Sequence, residues 1–128
     1  MKKIISVILS VLIILSVTPF VFAVGTTYYI DSMSGDDENN GLSEDNAWKT
    51  VDNIESLTLD AGDKVLLKSG GEYDCTLTLT CSGTKDNPII ISSYGEGEKP
   101  HLNTDARDAV MKLFDCSYVT VSGFEITA

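Results

Sequence analysis

Short runs of alternating apolar and polar residues recur along the last two thirds of the chain, separated by loops rich in Gly, Ser, Asn and Asp. From Tyr73 to Cys81, apolar residues at odd positions alternate with polar residues at even positions, three of them threonine. This alternation is typical of a strand with one buried face. Further short strands are predicted at 26–30, 64–68, 89–91, 100–102, 110–114, 118–121 and 124–126. The pattern therefore predicts an all-β fold.

The predicted strands recur in the same order while the loops between them shorten. Three sets correspond, at offsets of 34, 30 and 24: Leu77 and Leu79 with Met111 and Leu113 (111 − 77), Ile89 and Ile91 with Val119 and Val121 (119 − 89), and Leu102 with Ile126 (126 − 102). Constant order with variable loops favours a three-faced parallel β-helix, in which each coil buries its apolar residues against the next. A β-sandwich of short strands is the alternative.

One segment departs from the strand pattern. A helix is predicted to begin within Ser43–Asn46, where Asp45 or Asn46 can cap the first turn. The apolar residues that follow have helical spacing: Ala47, Trp48, Val51, Ile54 and Leu57. Such a short amphipathic helix must lay its apolar stripe on another apolar surface.

The first 23 residues have the composition of a secretory signal peptide. Two lysines precede an apolar stretch from Ile4 to Phe22, and Val21 and Ala23 occupy the positions that a signal peptidase recognises. We expect cleavage after Ala23, secretion, no membrane attachment thereafter, and a domain formed by residues 24–128. An uncleaved membrane anchor is the alternative.

The chain is acidic, with a formal net charge of −10 that becomes −12 once Lys2 and Lys3 leave with the signal peptide (−10 − 2). Nucleic-acid binding needs a basic surface, so this class of partner is excluded. An acidic balance suits solubility or calcium binding, and it does not specify a substrate.

The three cysteines give an incomplete picture of disulfide bonding. Cys75 and Cys81 lie at opposite ends of one predicted strand, about 20 Å apart, and a disulfide needs Cα atoms within about 7 Å. Cys81 and Cys116 lie at similar points of successive predicted coils and could stack closely. The favoured interpretation is that all three are small, buried apolar residues. No Cys-x-x-Cys spacing is present, and His101 has no evident metal-binding partner.

Several short motifs follow one another in a specific order over residues 26–128. They are Tyr28-Tyr29-Ile30-Asp31, Gly35-Asp36-Asp37, Asn40-Gly41-Leu42-Ser43, Ala47-Trp48-Lys49-Thr50, the segments 61–71, 82–84, 87–91, 94–97 and 99–100, and the final run 117–126. In this order they resemble the N-terminal part of secreted right-handed parallel β-helix proteins of the pectate-lyase-like superfamily.

The resemblance implies a right-handed parallel β-helix whose N-terminal helix, around Trp48, covers the open end of the coil stack. An uncovered end would expose strand edges and core side chains. No capping element follows Ile126, so we expect a C-terminally truncated chain that lacks the middle coils where the family's substrate groove lies. No position here corresponds to a catalytic residue of the family.

The implied activity of the whole protein is that of a polysaccharide lyase or glycoside hydrolase acting on an extracellular polysaccharide. We expect the chain alone to be inactive. The alternative is a non-catalytic β-helix that serves as an adhesin or a carbohydrate-binding module. A lyase needs a cation to stabilise the charge that proton removal creates, and Arg107 is the only arginine. A surface salt-bridging role is the simpler interpretation of Arg107.

The acidic loop from Asp31 to Asp45 is the best local candidate for a metal site. Residues 36–41 partly resemble an EF-hand loop, but the twelfth position, which needs a bidentate Glu, is Ala47. A looser calcium site is predicted instead, formed by Asp31, Asp36, Asp37 and Asn39. The alternative is a solvated turn whose side chains satisfy nearby backbone groups.

Overall fold

A computed structural model describes residues 24–104 and 109–127. Within these ranges the fold is all-β, with parallel sheets and very little helix. The strands are β1 (Thr27–Ile30), β2 (Thr58–Asp60), β3 (Lys64–Lys68), β4 (Glu72–Asp74), β5 (Leu77–Ser82), β6 (Ile89–Tyr94), β7 (His101–Asn103), β8 (Met111–Ser117), β9 (Val119–Val121) and β10 (Glu125–Thr127). A 3-10 turn (Glu44–Asn46) and a single helical turn, α1 (Asp52–Glu55), complete the elements.

The strands form three sheets, which the chain visits in rotation. The first sheet has the order β1-β3-β6-β9, the second β4-β7-β10, and the third β2-β5-β8. Every pairing is parallel. From β3 onward the chain passes through the first, second and third sheets in turn, and each circuit adds one strand to each sheet. This β-helix-like arrangement excludes the β-sandwich alternative.

The register between successive coils confirms the repeat that the sequence predicts. Met111 and Leu113 lie opposite Leu77 and Leu79. Val119 and Val121 lie opposite Ile89 and Ile91, and Ile126 lies opposite Leu102. All three offsets in the sequence are therefore pairings between neighbouring strands.

The run from Tyr73 to Cys81 is two strands, which corrects the prediction of a single one. β4 ends at Asp74 in the second sheet, and β5 begins at Leu77 in the third sheet. The N–H of Cys75 still donates to Asn103 O at 3.0 Å, whereas the N–H of Leu77 donates to Val110 O at 2.8 Å. The alternation of apolar residues continues through the corner, so the pattern alone does not reveal the change of sheet.

The continuous amphipathic helix predicted from Ser43 onward is not observed. Between the 3-10 turn and α1, Trp48 is extended and forms a parallel bridge with Ile30 of β1. The N–H of Trp48 donates to Tyr29 O (3.0 Å), and Trp48 O accepts the N–H of Asp31 (2.7 Å). Pairing with the free edge of β1 satisfies these backbone groups, which a helix would instead have bonded internally. The segment 31–51 between β1 and α1, called the covering loop from here on, therefore protects the edge of the first strand.

The side chain of Trp48 anchors this covering loop. It stacks on Tyr28, with ring centroids 5.6 Å apart, and its indole N–H donates to Asn39 O at 2.7 Å. Gly41 lies against the indole with φ +70°, and a Cβ built there would fall 2.6 Å from the ring. Only glycine combines this left-handed backbone with so close a contact.

The core fills the space between the three sheets. Its fully buried members alternate along the strands with outward residues, and they are Ile30, Ile54, Leu59, Val65, Leu67, Leu77, Leu79, Cys81, Ile89, Ile91 and Leu102. α1 contributes Ile54 to this core and packs against β5. Glu55 Oε1 also accepts the N–H of Thr78 at 2.8 Å, so α1 satisfies part of the edge of β5 beyond the end of β2.

A disulfide joins Cys81 of β5 to Cys116 of β8, with Cα atoms 4.6 Å apart. The register shifts between Thr80 and Ser82, where β8 bulges and Asp115 adopts φ 49°. The favoured interpretation of three unpaired cysteines is therefore wrong for this pair. Cys75 is free, which confirms that it does not pair with Cys81.

The last coil, formed by β8, β9 and β10, exposes apolar side chains. Phe114 is 54% exposed and Ile126 57%. Leu113, Tyr118 and Val121 are also exposed. These strands end their respective sheets, with Val121 and Ile126 at the positions that are buried in the preceding coil as Ile91 and Leu102.

The predicted signal peptide, residues 1–23, lies outside the described residues. In residues 24–104 and 109–127, no helix has the length and apolar character needed to cross a bilayer.

Candidate functional site

Asp31, the first of the four predicted calcium ligands, is buried at the end of β1. Its Oδ1 accepts the N–H groups of Met33 (2.9 Å) and Ser34 (3.0 Å). Its Oδ2 accepts a hydrogen bond from Lys68 Nζ at 2.8 Å. Both carboxylate oxygens are therefore used by donors of the protein itself.

The other three predicted ligands hold the covering loop together. Asp36 Oδ1 accepts the N–H of Glu38. Asp37 Oδ1 accepts the N–H groups of Lys49 (3.0 Å) and Thr50 (2.8 Å), and its Oδ2 accepts the hydroxyl of Thr50 at 2.9 Å. The side-chain amide of Asn39 donates to Ala47 O. Asp31 and Asp37 thus bind different parts of the fold.

Calcium binding by this loop stays a prediction. Within the described ranges, no three or more His, Cys, Asp or Glu side chains lie close enough together to hold a metal ion. A calcium ion takes six to eight oxygen ligands, so it would have to displace the backbone donors and the ammonium group that these carboxylates already bind.

The ion pair between Asp31 and Lys68 controls the ionisation of both groups. Burial by itself raises the pKa of Asp31, but the hydrogen bonds from Lys68, Ser34 and Met33 outweigh it and lower the pKa below the usual value. The hydrogen bond to Asp31 and its negative charge raise the pKa of Lys68. The pair is therefore charged at neutral pH and links the first strand to β3.

Tyr73 completes this cluster from β4. Its hydroxyl donates to Ile30 O at 3.1 Å and accepts the N–H of Lys68 at 3.0 Å. Burial raises the pKa of Tyr73, so the phenol stays neutral and retains the proton that it donates. Asp31, Lys68 and Tyr73 thus join β1, β3 and β4 at one corner of the coil stack, where they have a structural role.

A cavity of about 370 Å³ lies beside this corner. One wall is the segment from Lys49 to Asp52, and the other is formed by β4 with Cys75; Ser32 also lines the cavity. β4 is the outermost strand of the second sheet, so one of its edges is unpaired among the described residues. No motif in the sequence indicated this cavity, because its two walls are twenty or more positions apart.

The cavity is electronegative. Asp52, Glu72 and Asp74 contribute three exposed carboxylates against the single ammonium group of Lys49. Burial, together with the charges of Glu55, Asp74 and Asp52, raises the pKa of the Cys75 thiol to about 11. Cys75 is therefore protonated at neutral pH and unsuited to act as a nucleophile.

The outer face of the second sheet carries a ladder of polar residues. Glu72, His101 and Glu125 lie in register across β4, β7 and β10. His101 Nε2 lies 2.6 Å from Thr127 Oγ1, and the next position pairs Asn103 Nδ2 with Asp74 Oδ1 at 3.2 Å. This flat polar face adjoins the cavity through β4. Arg107, the candidate lyase cation, lies outside the described residues.

Comparisons with known proteins point to carbohydrate-active enzymes. A lacto-N-biosidase of Bifidobacterium longum subsp. longum is 36% identical over 131 residues, an alignment that covers 80% of this chain and 8% of that protein. No protein-family model matches the chain.

Two crystal structures of a GH136 lacto-N-biosidase from Eubacterium ramulus are also similar. The selenomethionine derivative has a TM-score of 0.73 at 35% identity, and the native protein 0.71 at 34%. In each case the similarity covers 80% of this chain and 20% of the solved one.

The chain is homologous to part of a carbohydrate-active enzyme, the GH136 lacto-N-biosidase. This homology supports the glycoside hydrolase interpretation and gives no support to a polysaccharide lyase. Membership of the pectate-lyase-like superfamily stays a prediction.

Proposed function

We propose that this chain forms the N-terminal coils of a secreted glycoside hydrolase with a right-handed parallel β-helix, which acts on extracellular lacto-N-bioside-containing carbohydrate. The observation that carries the proposal is the 36% identity to a lacto-N-biosidase over 80% of the chain. The three parallel sheets and their coil-by-coil register are the architecture that such a β-helix requires.

The two ends of the coil stack support a location at the start of a longer solenoid. The edge of β1 is paired with the covering loop through Trp48. β8, β9 and β10 are the last strands of their sheets within the described residues, so further coils can add there in the same parallel register. In this proposal the catalytic carboxylates of the hydrolase lie in those further coils, and the present chain supplies none.

The activity is tested with a chromogenic lacto-N-bioside. We expect the longer protein that continues these coils to hydrolyse it, and this chain alone to leave it intact. Hydrolysis by the chain alone would show that the catalytic groups lie within it. Carbohydrate binding by the longer protein without any hydrolysis would favour the non-catalytic binding module. Formation of unsaturated products from an acidic polysaccharide would favour lyase activity over hydrolase activity.

Secretion is a separate part of the proposal. If residues 1–23 are a signal peptide, the protein recovered from the culture medium begins at Val24. Mass spectrometry of the secreted product measures this directly. An intact N-terminus at Met1 on membrane-associated protein would favour the uncleaved anchor.

A calcium ion bound by the acidic loop is proposed to stabilise the fold and to take no part in catalysis. If Asp31, Asp36, Asp37 and Asn39 bind the ion, millimolar CaCl₂ raises the thermal midpoint of the chain, and EDTA reverses the shift. Asp36→Asn removes an exposed candidate ligand and should abolish the calcium-dependent part. A midpoint that does not move with calcium would remove the metal from the proposal.

A further inference from the structure

The cavity beside β4 lies where the first coil lacks a strand. β1 and β2 supply that coil's strands to the first and third sheets, whereas the second sheet begins only with β4 of the next coil. The segment from Lys49 to Asp52 passes this position without pairing with β4. An opening of about 370 Å³ therefore remains between a loop and an unpaired strand edge, within the range of about 300–1,000 Å³ usual for small-molecule sites.

The strand edge presents backbone hydrogen-bonding groups to this opening. Gly71 O and the N–H of Cys75 are bonded to β7. Alternate residues of a parallel strand bond to opposite neighbours, so the backbone groups of Glu72 and Asp74 face away from β7 and towards the cavity. Neither residue has a strand partner on that side among residues 24–104 and 109–127, because β4 is outermost in its sheet.

The side chains around the opening favour one class of ligand. Glu72, Asp74 and Asp52 are exposed hydrogen-bond acceptors on the rim, and Val51 and Tyr73 are buried at the base. An anionic ligand would meet three carboxylates and one ammonium group, an unfavourable balance. A flat aromatic ligand would find no exposed ring to stack on. An uncharged molecule with several hydroxyl donors fits both the charge and the acceptors.

We propose that this cavity binds an uncharged sugar residue, with the carboxylates of Glu72 and Asp74 accepting hydrogen bonds from the sugar hydroxyls. The choice of a sugar rests on the proposed carbohydrate function. The preference for an uncharged, hydroxyl-rich ligand follows from the lining itself. The cavity is then a carbohydrate-binding subsite at the start of the coil stack.

Cys75 provides a reporter inside the cavity. It lines the opening and carries the only free thiol, since Cys81 and Cys116 form a disulfide. Iodoacetamide should therefore label Cys75 and neither of the other two cysteines, once the pH is high enough to ionise part of this thiol. A sugar seated against β4 covers the thiol and slows its alkylation.

The experiment measures the rate of Cys75 alkylation in the full chain at about pH 10, where part of this thiol is ionised, with galactose, N-acetylglucosamine or glucuronate added at millimolar concentration. We expect at least one of the two neutral sugars to protect the thiol in a saturable manner, and glucuronate to protect it far less. Absence of protection by both neutral sugars, or equal protection by glucuronate, would overturn the proposal.

Two matched variants separate the cavity from the rest of the sheet. Glu72→Ala removes a rim carboxylate, and we expect about a tenfold loss of sugar affinity. Glu125→Ala removes the carboxylate on the other side of His101, outside the cavity, and should leave the affinity unchanged. Undiminished affinity in Glu72→Ala, with both variants folded by circular dichroism, would contradict the assignment. Sugar binding at the cavity and hydrolysis are measured in separate experiments. A negative result for binding does not contradict the proposed hydrolase activity, and a negative result for hydrolysis does not contradict sugar binding by the cavity.

Discussion

The two ends of the coil stack differ in whether another segment of the chain pairs with the outermost strand. At β1, the covering loop pairs with the free strand edge, and Trp48 is only 7% exposed where it closes over the core. At the other end, no further described strand follows β8, β9 and β10 in their sheets, and Phe114 and Ile126 are more than half exposed. A parallel coil stack therefore needs a dedicated segment to end it, because the strands themselves always leave one edge unsatisfied.

The covering loop achieves this closure mainly with polar residues. Asp31, Asp37 and Asn39 bind backbone donors and acceptors, and Trp48 supplies the apolar area. The acidic composition that suggested a calcium site thus has a structural use at this end. No comparable set of side chain to backbone bonds covers the described part of the last coil.

Removal of the Trp48 ring should have the largest effect on stability. Trp48→Ala deletes a buried aromatic side chain, its stacking on Tyr28 and its hydrogen bond to Asn39 O, so we expect a loss of about 3–5 kcal/mol in the free energy of unfolding. Phe114→Ala at the exposed end is the control and should change it by about 0.5 kcal/mol or less. Urea denaturation measures both. Similar losses in the two variants would contradict the contrast between the two ends.

Loss of the disulfide should come next. Cys81 and Cys116 are separated by 35 positions, a loop for which the chain-entropy model gives about 3–4 kcal/mol. We expect the variant with both residues changed to Ala to lose this amount, and hydrogen exchange to rise first in β8. Cys75→Ala, which removes the free thiol, should cost about 1 kcal/mol or less. Equal stability of oxidised and reduced wild-type protein would refute this role.

The Asp31–Lys68 ion pair should make the free energy of unfolding depend on pH. Because the pKa of Asp31 is lowered in the folded protein, its contribution is complete above the unfolded pKa of about 3.9 and is lost as the pH falls through the lower folded value. Asp31→Asn should therefore cost about 1–2 kcal/mol at neutral pH, since the half-exposed Lys68 limits the contribution of the ion pair.

Denaturation from neutral to acidic pH checks this sign. The stability difference between wild type and Asp31→Asn should shrink as the pH approaches and passes below the unfolded pKa of Asp31. Glu96→Gln, in an exposed turn, is the control and should show no such difference at neutral pH. A stability difference that grows on acidification would contradict a stabilising role for the ionised Asp31 carboxylate.

A substitution in the last coil should have the smallest effect on stability, but it should change how strongly the chain self-associates. Unpaired strand edges with apolar residues favour association between molecules, so we expect the isolated chain to self-associate through the last coil. Ile126→Lys should weaken this association while it alters stability by about 0.5 kcal/mol or less. Asp86→Asn, which changes the net charge equally in an exposed loop, is the control. Sedimentation velocity that shows identical association in both variants would contradict this location.

Much of the coil register could be predicted because stacking preserves it. Each coil places equivalent apolar residues above one another, so Ile89 and Val119 keep their relation whatever the length of the loop between them. The pattern did not reveal the corner at Cys75 and Thr76, since the inward–outward alternation survives a change of sheet there. β2 was missed for a different reason, because it is three residues long with only Leu59 buried.

Pairing between residues far apart in the sequence limited how well the helix and the candidate site could be predicted. The spacing of Trp48, Val51 and Ile54 fits a helix, but Trp48 reaches the core through an extended bridge to Ile30, and helical spacing holds only near α1. The individual residues of the acidic loop were found, whereas their partners, such as Lys68, are dozens of positions away. The cavity arises from the absence of a strand, and local sequence contains no signal for that.

The bulge in β8 has a consequence for how such a chain can change over evolutionary time. In a regular strand, Leu113 and Cys116 would point in opposite directions, because an odd number of steps separates them. The extra residue, Asp115, takes a left-handed conformation, which restores the parity and turns the Cys116 sulfur towards Cys81. Single-residue insertions can therefore accumulate in a coil without inverting its faces, provided that each falls where the backbone can absorb it. The length of each coil can then vary, while the side-chain stacking between coils is retained.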